Sequence, residues 1–392
     1  MTSFLELSLA DIEKEIIAVG AVDAHKAGAL RERLFADGKI DREEADFLFR
    51  VNDAVSGKAN DTAWRSLFIQ AMTQHVLADE TRPGELDEAE WNYLKGKIDN
   101  DGKIDAVERD LLVNIVKKAK KTPESFQDYV LTTLKASILD DGIIDEAEVG
   151  MLITVILGQG GSGGAKVDRK EADFLFEHND ELSGKQNHTS WCTFFCDAIC
   201  NHLLEDETSP NVLDDMEAAW LISKIQKDGK VDDVELSLLV AICGRAKDTP
   251  PSFHTFVLET LKSSVLEDGV IDESEVNAIK AVIYGEGGAD GSGVSRKEAD
   301  FLFALNDAVS GKKNHASWQK LFVEAISKHV LEDETSPGII DEQEAAWLVA
   351  KISGDGKLDT VEKALFENIS TKAKSMPSDL ADKIASLKMM QA

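Results

Sequence analysis

The chain has 392 residues, with 73 acidic against 43 basic side chains, a formal charge of −30 near neutral pH, and 43% apolar residues. That apolar fraction supports buried cores and excludes an acidic disordered tail, while the charge excludes binding to a nucleic-acid backbone or an anionic membrane, which need clustered Lys and Arg. No run of about 18 apolar residues offers a membrane span, Met1 to Leu7 lack the regions of a secretory signal, and four Cys make no disulfide framework, so the expectation is an acidic cytoplasmic protein whose partners are metal ions or basic proteins.

The residues ahead of Asp37 read as helical. Glu44-Ala45-Asp46-Phe47-Leu48-Phe49 then returns as Glu171 to Phe176 and as Glu298 to Phe303, an offset of 127 residues each time. Trp64, Trp191 and Trp318 keep the offset, as do His75, His202 and His329. Three tandem copies of one unit follow from this self-similarity. The third stops early, near the helix carrying Leu380, Ile384 and Leu387. Two Gly-rich stretches, Gly158 to Gly164 and Gly285 to Gly293, read as flexible linkers and set domain boundaries of 1–157, 165–284 and 294–392.

Inside each copy the pattern is helical. Trp64, Leu67, Phe68, Ala71, Met72, His75 and Val76 recur at spacings of three and four and form one buried stripe. Asn60, Asn187 and Asn314 precede that helix as expected N-caps. Period-2 alternation is scarce, and the seven Pro fall mostly between helical stretches. The fold class is all-α: three tandem helical repeats joined by Gly-rich linkers, with acidic EF-hand-like loops between helices.

A short acidic loop, Asp-Gly-x-aliphatic-Asp-x-x-Glu, recurs six times. Its carboxylates are Asp37, Asp41 and Glu44; Asp101, Asp105 and Glu108, with Asp99 close by; Asp141, Asp145 and Glu148; Asp228, Asp232 and Glu235; Asp268, Asp272 and Glu275; and Asp355, Asp359 and Glu362. Two readings fit. As the second half of an EF-hand loop, these residues would be weak metal ligands, because position 1 is Lys97, Lys224, Lys351, Arg33, Ser137 or Ser264 and supplies no carboxylate. As helix punctuation, the Gly takes the left-handed conformation past one helix, the second Asp caps the next, and the Glu completes a capping box.

A longer loop runs from Asp79 to Glu90, from Asp206 to Glu217 and from Asp333 to Glu344. It has Asp at position 1, Thr at 3, Gly or Asn at 6, an aliphatic residue at 8, Asp at 9 and Glu at 12. The expected ligands are Asp79, Thr81, Asp87 and Glu90; Asp206, Thr208, Asp214 and Glu217; and Asp333, Thr335, Asp341 and Glu344. About six oxygens from such a loop suit a hard dication, Ca2+ first, then Mg2+ or another divalent cation. Pro83, Pro210 and Pro337 at position 5 give no side-chain ligand, so the expected affinity is modest, on the order of 10⁻⁵–10⁻³ M. A turn followed by a capping box is the alternative.

Ala36-Asp37-Gly38-Lys39-Ile40-Asp41-Arg42-Glu43-Glu44 resembles the helix-joining signature of TerB-like tellurite-resistance proteins. Through the loops and the helical rhythm the resemblance spans most of the chain. It implies an all-helical acidic domain that binds divalent cations in a stress or tellurite-resistance setting.

Other constellations are set aside. His75, four residues before Asp79, is expected to bond a carboxylate within the core rather than a transition metal. Cys192, Cys196 and Cys200 lie on one helix, but the other copies lack them, so packing explains them. Asn52-Asp53 and its copies end a helix before Ser-Gly-Lys, with no phosphate-loop glycine upstream. No catalytic pattern emerges. The expected function is divalent-cation binding, with a helical interaction scaffold docking basic partners as the rival.

Overall fold

The computed structural model describes residues 7–78, 81–100, 102–158, 166–205, 209–285, 293–332, 337–352 and 358–389. Among these the chain is 71% helical, with 19 helices and no strand. Two helices, α1 (Leu9–Val19) and α2 (Ala24–Leu34), precede the first copy. That copy holds α3 (Arg42–Val55), α4 (Thr62–Leu77), α5 (Glu88–Ile98), α6 (Ala106–Lys118), α7 (Glu124–Asp141) and α8 (Glu146–Ile156). The second holds α9 (Arg169–Leu182), α10 (Ser190–Leu204), α11 (Asp215–Ile225), α12 (Asp233–Arg245), α13 (Pro251–Asp268) and α14 (Glu273–Tyr284). The third holds α15 (Arg296–Val309), α16 (Ala316–Leu331), α17 (Glu342–Ile352), α18 (Thr360–Lys372) and α19 (Ser378–Met389). No helix among the described residues is long and apolar enough to cross a membrane.

The helices form where the apolar spacing requires them. On α4, Trp64, Leu67, Phe68, Ala71, Met72 and Val76 are all buried. Phe49 of α3 meets Phe68 edge to face at 5.2 Å, and Phe303 meets Phe322 in the third copy at 5.1 Å. Buried aromatic pairs of this kind add about 0.5–1.5 kcal/mol beyond their area. Helices α7 and α13 stop at Gly142 and Gly269, whose φ of 75° and 70° no β-carbon tolerates well.

The chain divides into two compact units, Met1–Phe194 and Phe195–Ala392. In the first, α1 packs on α3, α2 on α4, α4 on α6 and α6 on α8. In the second, α11 packs on α13, α12 on α14, α13 on α15, α14 on α16, α16 on α18 and α17 on α19. Each of these helices lies beside the next but one, so odd and even helices form two rows within a unit, as stacked helix pairs do.

Packing continues across the Gly-rich stretches. Lys135 on α7 pairs with Glu177 and Glu181 on α9 at 3.6 and 3.1 Å, and α13 and α14 pack on α15 and α16. The junctions are closed by the residues expected as N-caps. Asn60 does not cap α4; Asp61 does. The Asn60 amide instead donates to the Val55 carbonyl and accepts the Val22 N–H, which ties α3 to the α1–α2 turn. Asn187 does the same with Leu182 and Ile144, and Asn314 with Val309 and Ile271. The pair α1–α2 thus stands before α3 as α13–α14 stands before α15.

Candidate functional site

In the long loops, Gly84, Asn211 and Gly338 at position 6 have φ of 86°, 63° and 82°. Their N–H groups donate to Leu77, Leu204 and Leu331, folding the chain back on the preceding helix. The next residues pair in parallel with the loop after α6, α12 or α18: Glu85 with Lys121, Val212 with Asp248, and Ile339 with Ser375.

The carboxylates of these loops start helices. Asp87 Oδ1 accepts the N–H groups of Ala89 and Glu90, and Glu90 Oε2 accepts the Asp87 N–H at 2.9 Å. Asp214 with Glu217 and Asp341 with Glu344 make the same reciprocal bonds. The second Asp87 oxygen lies 2.6 Å from Arg82. The Glu90 N–H and then the Arg82 guanidinium hold Asp87 below the usual carboxylate range. Lys120 Nζ donates to the Pro83 carbonyl at 3.0 Å, and Lys374 to Pro337 at 3.1 Å. The protein's own cations therefore sit on oxygens at positions 5 and 9 of the first loop. Thr81 is exposed. Asp79, Asp101, Asp206, Thr208, Asp333, Thr335 and Asp355 lie outside the described residues.

The six short loops follow the same chemistry. Asp41, Asp105, Asp145, Asp232, Asp272 and Asp359 are N-caps whose boxes are completed by Glu44, Glu108, Glu148, Glu235, Glu275 and Glu362. Asp37, Asp141, Asp228 and Asp268 each accept the N–H two residues on, which fixes the turn. Asp99 takes the Tyr129 hydroxyl and Lys95. Glu108, Glu235 and Glu362 are buried. Burial raises the carboxyls of Glu44, Glu148 and Glu275, and the neighbouring Asp charges add to it. Among the described residues no group of three or more His, Cys, Asp or Glu is arranged to hold a metal ion.

Several partners were not legible in the motifs. Asp105 Oδ2 accepts Asn52 Nδ2 at 3.0 Å and the Ser56 hydroxyl at 2.7 Å; Asp359 does so with Asn306 and Ser310 at 2.8 and 2.9 Å. Position-1 Lys97 and Lys351 are accounted for by Asp46 and Asp300, which they meet at 2.9 and 2.8 Å. His75 and His329 donate Nδ1–H to the carbonyls of Ile40 and Val294; Asp79 and Asp333, to which their spacing pointed, lie outside the described residues. A carbonyl can only accept, so the tautomer follows. For the Asn52 and Asn306 bonds alone a signal existed, the 127-residue recurrence of Asn52, Asn179 and Asn306.

Burial governs the thiols. It pushes Cys200 up to about 11 and Cys243 up to about 12, and Cys196 is buried as well. At pH 8 roughly one Cys200 in a thousand is thiolate. A thiol reagent added to the native protein should therefore label half-exposed Cys192 within minutes and the other three only after denaturant; quick titration of all four would refute the burial argument.

The sequence matches no family model, and no curated protein matches it.

Proposed function

We propose that the chain is a helical interaction scaffold whose acidic loops set helix starts and whose negative surface docks basic protein partners. One observation carries this reading: all nine Asp–Glu pairs of the recurrent loops, Asp41–Glu44 through Asp359–Glu362, make the two reciprocal bonds of a helix start. Each such cap stabilises its helix by about 0.5–2 kcal/mol with no metal. What remains for function is the charge of −30, which attracts and orients cationic surfaces and speeds their encounter at low salt.

A second reading, divalent-cation binding of the TerB-like kind in stress or tellurite resistance, has one observation in its favour. Glu44, Glu148 and Glu275 are raised by burial and, after it, by adjacent carboxylates, a strain that a dication would relieve. Isothermal titration with calcium and with magnesium separates the two. The scaffold predicts no heat and no shift of the melting temperature at millimolar metal; saturable heat with a rise in melting temperature would favour the cation reading.

A further inference from the structure

A groove of about 740 Å³ lies between α12, α13 and α14. Its lining includes Leu236 and Ser264 beside four carboxylates, Asp233, Asp268, Asp272 and Glu275; among the described residues that line it there is no Lys or Arg. The corresponding place in the first copy, 127 residues earlier, is formed by Arg109, Ser137, Asp141, Asp145 and Glu148. There the Arg109 guanidinium donates to the Ser137 hydroxyl; burial raises the Glu148 and Asp110 carboxyls, and the Arg109 charge works against it in part. In the first copy an arginine of the chain itself thus reaches the serine of this place. The second keeps the serine and the acids but has Leu236 in place of the arginine.

We propose that the groove between α12, α13 and α14 is a docking site for an arginine side chain of a basic protein partner. The planar guanidinium gives several directed donors to carboxylate and hydroxyl oxygens, which an ammonium does not. Its apolar stem can lie along Leu236. The inference rests on the scaffold reading and gives it a place and a partner chemistry.

Fluorescence anisotropy of the full chain with a labelled dodecapeptide alternating Arg and Leu tests it, beside the same peptide with citrulline for every Arg. The Arg peptide should bind at least about tenfold more tightly than the neutral one, since hydrogen bonds between charged groups are lost with the charge. Leu236→Arg, which gives the second copy the residue of the first, should weaken the Arg peptide by about tenfold with helical circular dichroism unchanged. Asp268→Asn keeps an oxygen for the Val270 N–H and should weaken it about threefold. Equal binding by wild type and both variants would overturn the groove and leave the scaffold standing. Binding of neither peptide by wild type would overturn the scaffold and the groove with it. Calcium heat that Asp268→Asn abolishes, without peptide binding, would assign these carboxylates to a dication instead.

Discussion

Asp105→Ala is expected to lower the unfolding free energy of the Met1–Phe194 unit by about 3 kcal/mol, against about 1 kcal/mol for Asp41→Ala. Both residues cap a helix and both belong to a capping box; Asp105 Oδ1 accepts two helix N–H groups against one at Asp41, which adds about 0.5–1 kcal/mol at Asp105. The larger part of the difference lies in the second oxygen. At Asp105 it accepts from Asn52, which is 2% exposed, and from Ser56. Truncation leaves those donors facing protein rather than water, and an unsatisfied buried donor costs about 1–3 kcal/mol. Asp359→Ala should repeat the large loss in the other unit, where Asn306 is 1% exposed. Urea unfolding followed by tryptophan fluorescence, with and without a chelator, measures both. Equal losses at positions 41 and 105 would refute the role of the buried amide. A loss at either that appears only without chelator would show that the carboxylate holds a metal rather than a helix end.

The contrast between these two aspartates also marks how far the sequence can be read. Capping boxes, left-handed glycines and buried helical stripes are set by spacings of a few residues, so Asp41–Glu44, Gly142 and the Trp64 stripe were all legible. The partner of the second Asp105 oxygen lies 53 residues away on α3, and no local rule reaches it. The same distance problem hid the role of Asn60, whose side chain bonds Val22 across 38 residues although its position before α4 suggested a cap. It also hid the pairing of Lys97 with Asp46. Composition gave the Gly-rich stretches the look of linkers, yet composition says nothing of Lys135 and Lys170, which join α7 to α9 on either side of one. In the candidate metal loops the residue types were right for a dication and equally right for a helix start. Spacing alone cannot separate the two, because the capping box and positions 9 and 12 of an EF-hand loop use the same Asp and Glu three residues apart.

Acidification should destabilise the Met1–Phe194 unit through a single ring. His178 is fully buried on α9, stacked at 4.9 Å on Phe174, and neither of its ring nitrogens has a hydrogen-bond partner. Burial pushes it down to about 4, with Lys135 acting in the same direction and Glu181 against it. Its folded value thus lies below the ordinary value near 6.5, and as pH falls the unfolded chain takes up this proton first. The stability tied to the neutral ring is complete above about pH 6.5 and drains away toward pH 4; about 2 kcal/mol of it goes between pH 7 and pH 5. The first and third copies carry Val51 and Leu305 at this position, so the site accepts an apolar side chain. His178→Leu should accordingly add about 1 kcal/mol at pH 7, by removing an unpaired polar group, and flatten the acid loss. Unfolding midpoints in urea at the two pH values give both quantities. If the variant loses as much stability as wild type between them, the proton is taken up elsewhere. If it is less stable at pH 7, the imidazole has a partner, such as a buried water, that offsets its burial.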